Sequence, residues 1–398
     1  AKELEDPQLE EVRLALKDHA GFLAVPTVES SAFDPDTLKS YYKLLDAART
    51  FESNAPDETA LMCVGEAETL QEMPILIRGN PGSPGKLVAR NVPLVMRTEG
   101  SPLEFAESTS GRLELAQWMA SEKNTLTARV MVNRIWTWHF GQGLVPSTEN
   151  FGVRGDKPSH PKLLDWLAYY FIESGWSIKE MHRLILDSST WQMDSRHPDY
   201  LKYQSIDSEN RLCWKQNLRR LQAEQIRDSI LLVAGRLDRE MGGKTLPLRN
   251  RQFVFNHTSE DHTTYESLRR AVYLPVIRNN LYTLFEQFDF PDPALPTGQR
   301  AETIIAPQAL VLMNDPIVLD SAERLAENML DELASGSGAE LKILNQIYLR
   351  CLSREPTQTE AERSLSFVEQ QTETGGRQRA WMLLCQALLV SSEFLYLR

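Results

Sequence analysis

Cysteine is scarce and scattered: Cys63, Cys213, Cys351 and Cys385 are the only four in 398 residues, and no two stand in a Cys-x-x-Cys spacing. That excludes a zinc knuckle, a thioredoxin-like dithiol and a covalent haem attachment, each of which needs thiols at short spacing. Cys351 and Cys385 sit in apolar helical surroundings, where free buried thiols are expected. Long apolar runs are missing too, and none reaches the roughly 18 residues that cross a bilayer. Positive charge is in deficit: 43 Lys and Arg against 55 Asp and Glu give a formal charge of −12. Nucleic acid and anionic membranes both require a positive field, so neither is an expected partner. No signal peptide is present; the chain opens Ala-Lys-Glu, as a mature form or a processed piece would.

Familiar catalytic words are equally absent. Arg78-Gly-Asn-Pro-Gly-Ser-Pro-Gly-Lys86 is turn chemistry throughout, without the Gly-Lys-Ser/Thr ending of a phosphate loop. There is no His-Glu-x-x-His for zinc and no Gly-x-Ser-x-Gly elbow for a serine hydrolase.

What is present describes an ordinary globular chain, 42% hydrophobic and 25% charged, with a mean hydropathy of −0.37. The pattern predicts a mainly α fold with a small β-containing N-terminal part and short inserted strands. Residues 1–100 read as a helical entry (8–19 and 34–52) followed by short strands at 60–64, 74–78 and 86–89. A central helical domain is expected over 101–334 and a C-terminal helical bundle over 335–398. Asn124 can cap a helix ending before Gly141, and Pro161 opens the next. Ser177 to Glu180 and Thr357 to Glu360 are capping boxes. Residues 194–209 read as an exposed loop, 218–237 as one helix, 271–277 as strand-like, and 340–353 and 378–394 as helices.

Residues 124–191 concentrate Trp, Arg, Gly and three of the seven histidines. The helix ending before Gly141 is apolar nearly all round, so it is expected to be central and buried. Arg129, Asn133, Arg134, Arg183, Arg220, Glu224, Arg227 and Asp228 then form the expected structural polar core. A buried guanidinium without a partner costs several kcal/mol, on the order of 3–5, so carboxylates from later segments are expected to meet these arginines. Arg220 with Glu224, and Glu224 with Arg227, have the spacing of pairs on one helix.

Four constellations could carry chemistry. His139, His160, Asp165 and His182 supply the groups for acid–base work or a transition metal, although no two of these histidines are four apart on a helix. Ser188 or Ser189 could join them as a nucleophile; near a helix end, however, such hydroxyls usually cap. Glu224 with Asp228, or Asp289 with Asp292, are the carboxylate pairs a glycosidase would need. Trp136, Trp138, Trp166, Trp176 and Trp191 could stack on sugar rings or a haem edge, with core packing as the simpler role.

The ordered words Asn133 to Gly143, Phe151 to Gly155, Pro158 to Leu167, Ser174 to Lys179, His182 to Thr190, Arg219 to Asp228, Ala306 to Leu310 and Ser391 to Tyr396 carry a resemblance. Residues 75–398 resemble the planctomycete cytochrome-c-associated domain of unknown function fifteen fifty-three. The resemblance implies the C-terminal part of a larger exported, multi-domain protein, extracytoplasmic at the periplasm or cell surface. It also implies a neighbouring domain or protein partner of cytochrome c type, with any haem on that separate domain and no cofactor within this chain. The family supplies no catalytic residues. Two functions are therefore expected: a non-catalytic binding or scaffold module, or a hydrolase of polysaccharide-type substrates with carbohydrate as its ligand.

Overall fold

The computed structural model describes residues 34–54, 63–67, 69–96, 109–243, 264–278, 280–333 and 338–397. The described residues fall into two compact units, one up to Cys63 and one from Val64 onward. The expected helix at 8–19 and most of the strand expected at 60–64 lie outside the described residues, as do Phe253-Val-Phe, which reads as strand-like, and 335–337 of Ser335-Gly-Ser-Gly338, which reads as a flexible break.

In the first unit, helix α1 (Pro35–Asn54) begins where Asp34-Pro35 predicts it. The Asp34 carboxylate accepts from the N–H groups of Asp36 and Thr37, both at 3.0 Å, which satisfies first-turn donors.

The second unit opens with an antiparallel hairpin, β1 (Met73–Leu76) against β2 (Pro84–Val88), with Met73 opposite Val88. Helices α2 (Arg112–Met119), α3 (Thr125–Phe140), α4 (Pro161–Glu173) and α5 (Ile178–Leu186) follow. Asn124 accepts from Leu126 and Thr127 N–H at 3.0 and 3.3 Å, and Gly141 ends α3 at φ 80°. That φ is left-handed, which glycine adopts without penalty. Helix α3 packs on both α4 and α5, and Val132, Ile135, Phe140, Leu164, Phe171 and Met181 fill the core they enclose.

The segment expected as an open loop at 194–209 instead contains helix α6 (Tyr200–Ile206). Its Tyr200 and Tyr203 rings both lie 5.6 Å from the Trp214 ring, a contact between separate segments that local polarity does not reveal.

Strand β3 (Arg219–Arg220) pairs antiparallel with β4 (Tyr396–Leu397) near the end of the chain. Helix α7 therefore spans only Ala223–Val233, because the ladder claims residues 219 and 220 and Gly235 turns at φ 71°. Residues 271–273 form a 3-10 turn rather than a strand. Then come α8 (Thr283–Gln287), α9 (Ala306–Asn314), α10 (Pro316–Leu333), α11 (Ala339–Leu352), α12 (Gln358–Gly375), α13 (Arg377–Leu389) and α14 (Ser392–Leu395). The single helix expected over 378–394 is two, because Ser391 caps afresh by accepting from Phe394 N–H at 3.3 Å.

A second core gathers Ile226, Ile230, Leu325, Met329, Ile347 and Trp381, all fully buried. Helices beyond residue 335 thus share one interior with segments from 223 onward. The reason is the apolar stripe of α10 (Val318, Ala322, Leu325, Met329), which packs against α13. No described helix is long and apolar enough to cross a membrane.

Candidate functional site

Helix α3 sets the geometry. Successive residues turn by about 100°, so Trp136 and Trp138 point roughly 200° apart. Trp136 is 7% exposed and Trp138 50%, and Arg134 is also exposed. The helix is therefore not buried all round: it shows Arg134 and Trp138 to solvent. Arg183 is exposed as well, paired with Glu180 on its own helix. Arg129 is half-buried and bonds Asp165 on α4 at 2.7 Å. These three arginines leave the expected polar core because their helix faces open outward.

The buried members of that core behave differently. Asn133, fully buried, donates to Val145 C=O at 3.0 Å and accepts from Val145 N–H at 2.8 Å. It clamps the loop after α3. A Cβ on Gly143 would stand 2.6 Å from Val145 O and 2.7 Å from Asn133 Nδ2, so the Asn and the glycine form one device. Arg227 is 0% exposed; it donates to Arg269 C=O at 2.8 Å and to Ser267 C=O, and meets Asp228 at 3.1 Å. Burial raises the Asp228 pKa, against the Ala271 N–H and Arg227 that favour its charge.

Arg220, on β3, bonds Asp289 at 2.6 Å. Asp289 also accepts from Thr303 N–H and Oγ1, each at 2.8 Å. Burial acts to raise this carboxyl, but the Arg220 and Thr303 bonds prevail and hold it below its ordinary value. Glu224 pairs with Arg300 through bonds of 2.6 and 2.8 Å. The expected Arg220–Glu224 and Glu224–Arg227 pairs do not form, because Arg220 lies outside the helix and Arg227 turns inward. Asp292 accepts from Ala294 N–H at 2.8 Å in a loop turn.

The end of α3, residues 219–222 and the 288–302 loop enclose a cleft of about 290 Å³. Arg134, Trp138, Arg219, Gln222, Gln299 and Glu302 are in its lining, with the Arg220–Asp289 pair behind. Arg219 crosses the end of α3 and donates to Trp138 C=O at 2.7 Å. A Cβ on Gly141 would meet Arg219 Cδ at 2.6 Å, so this glycine serves both the helix end and the arginine's path. Arg219 Nε is buried without a partner, and Arg134 bonds to nothing among the described residues. Burial draws the Arg219 pKa down, and Glu302 pulls it back up.

The histidine cluster comes apart. His139 Nε2 lies 2.8 Å from His182 Nδ1, with the Trp191 ring edge-on to His139 at 6.4 Å. Burial, followed by His182 and Arg219, lowers His139 to about 4, so His139 is neutral near pH 7. His160 instead pairs its Nδ1 with Ser159 Oγ at 3.0 Å at the head of α4. Asp165 is held by Arg129, away from all three histidines' bonds. Ser188 Oγ donates to Ile185 C=O at 2.6 Å and accepts from Trp191 N–H at 3.2 Å, which is capping. Among the described residues no group of three His, Cys, Asp or Glu is placed to hold a metal. Trp166 and Trp191 are 51% and 37% exposed, so core packing accounts for Trp136 but not for these. The four cysteines are free, with burial pushing the Cys351 thiol up to about 12.

Gln299 and Glu302 lie in no motif, and Arg219 and Gln222, although inside the word Arg219 to Asp228, carry no known chemistry there, so sequence reasoning missed all four. The only available signal was the Arg-Arg doublet falling before the apolar stripe of α7. Residues 111–368 match the model of a family, PSD1, described as Protein of unknown function (DUF1553). No curated protein and no solved structure matches the chain.

Proposed function

Since the chain belongs to the PSD1 family, which is described only as of unknown function, we propose from its own geometry that it is a non-catalytic ligand-binding module. One observation carries this reading. Arg134 and Arg219 stand in the cleft without carboxylate partners, while the candidate acids, bases and nucleophiles are engaged with neighbours. Fixed donors in a concave polar site suit capture of a ligand. A hydrolase built on those candidates would need one of them free to reach its substrate.

The setting we propose is extracytoplasmic, beside a cytochrome c-type domain or partner. Support comes from the resemblance of the ordered sequence words, and from the charge of −12, which complements a basic protein surface. The test is incubation of the full chain with neutral and acidic polysaccharides, scoring both retention in affinity electrophoresis and release of new reducing ends. Retention without cleavage is expected. Reducing-end release that disappears in His139→Asn or His182→Asn would replace this reading with the hydrolase.

A further inference from the structure

Resting on the binding reading above, we propose that the cleft at the end of α3 recognises an acidic sugar, a pyranose bearing a carboxylate or sulfate. Arg134 and Arg219 would hold the anionic group, and Trp138 would cover the ring.

The charge of the lining is the first argument. Arg220 and Arg300 are neutralised by Asp289 and Glu224. That leaves the two other guanidiniums against one unpaired lining carboxylate, Glu302. Glu149 lies outside the lining, accepting from Thr148 Oγ1 at 3.0 Å. A net positive recess on a protein of formal charge −12 is a local reversal that selects anions. The second argument is the state of Arg219. Its Nε has lost water and gained no acceptor, a cost that an incoming oxyanion would remove. A guanidinium offers parallel N–H groups, which match the two oxygens of a carboxylate or sulfate.

The remaining lining points to a sugar rather than a bare anion. Gln222, Gln299 and Thr137 carry amide and hydroxyl groups that can bond ring hydroxyls, and Glu302 can accept from one. Trp138 is 50% exposed in the same lining, giving an indole surface beside two cations. The cleft's 290 Å³ falls just below the roughly 300–1,000 Å³ typical of small-molecule sites, which suits a single ring.

The experiment is calorimetric titration of the full chain with methyl glucuronide, glucose 6-sulfate, methyl glucoside and inorganic sulfate. Arg134→Gln and Arg219→Gln are measured beside the wild type, with circular dichroism confirming that each is folded. At least one acidic sugar is expected to bind at least about tenfold more tightly than methyl glucoside, and each substitution to weaken it about tenfold or more, the loss of a charge-assisted bond. The preference between the first two ligands tells carboxylate from sulfate. Equal binding of neutral and acidic sugars, no binding of any sugar, or unchanged affinity in both variants would overturn the proposal. So would inorganic sulfate binding as tightly as the sugar sulfate, which would reduce the cleft to an anion site. Binding accompanied by cleavage would sink the non-catalytic reading and leave the ligand class standing. Failure of every acidic sugar, with polymers still retained uncut, would do the reverse.

Discussion

Arg227 sits at 0% exposure, enclosed by two carbonyls and the Asp228 carboxylate, whereas Arg134 is exposed on α3 and meets no described acceptor. Arg220 and Arg219, adjacent on β3, divide the same way: the first is locked to Asp289, whereas the second reaches into the cleft with no carboxylate bonded to it. The fold therefore uses one side-chain type for two jobs. Where a guanidinium is buried, the chain sets a carboxylate and carbonyls against its terminal nitrogens, because an uncompensated buried charge would unfold the region. Where acceptors are withheld, the cost is tolerated at a concave surface.

The comparison is most sharply broken at Arg227. Substitution Arg227→Met should destabilise by about 3–5 kcal/mol, because Asp228 and the carbonyls of Ser267 and Arg269 lose their donor. Urea denaturation measures this, and a loss under about 1 kcal/mol would mean that the interior arginine is not an anchor. Asn133→Ala should cost about 2–3 kcal/mol, since it strands both polar groups of Val145. The same melt should show it, and ligand affinity should fall too, because the clamped loop follows the helix end that forms the cleft wall.

A smaller effect belongs to His139. Its value falls from 6.5 to about 4 on folding, so between those pH values the unfolded chain binds a proton that the folded chain refuses. Stability from this group is complete above about pH 6.5 and is lost as pH falls towards 4. After discounting for its partial exposure, about 1–2 kcal/mol should disappear over that window. His139→Asn should flatten that part of the pH profile, and a variant with the wild-type slope would show the burial of His139 to be irrelevant. Smallest of all is Arg134→Gln, expected to shift stability by less than about 0.5 kcal/mol, as for an unpaired surface group. A large loss there would move Arg134 into the structural class.

Local signals in the chain foretold the local structure. Asn124, Pro161, Ser177 and Thr357 open helices as their side chains predict, because a cap depends on residues three or four apart. The mainly helical class followed from the same periodicity. The cleft was not legible, since it joins α3 to residues 219–222 and 288–302, and nothing in one segment announces the other. The two-residue ladder between 219–220 and 396–397 is too short to leave a pattern, yet it takes Arg219 and Arg220 off the helix to which their spacing assigned them. The apolar count of α3 misled for another reason: a tryptophan scores as core wherever it stands, and Trp138 stands outside. Among the His139, His160, Asp165 and His182 candidates, only the first and last meet, because α4 carries the others to separate partners.

A crystal structure of the full chain grown with methyl glucuronide would test the account most directly. The carboxylate should lie within hydrogen-bond distance of both the Arg134 and Arg219 guanidinium groups, with the ring against Trp138. Finding those two arginines turned onto carboxylates of the protein, or the sugar seated beside His139 and His182 instead, would contradict it.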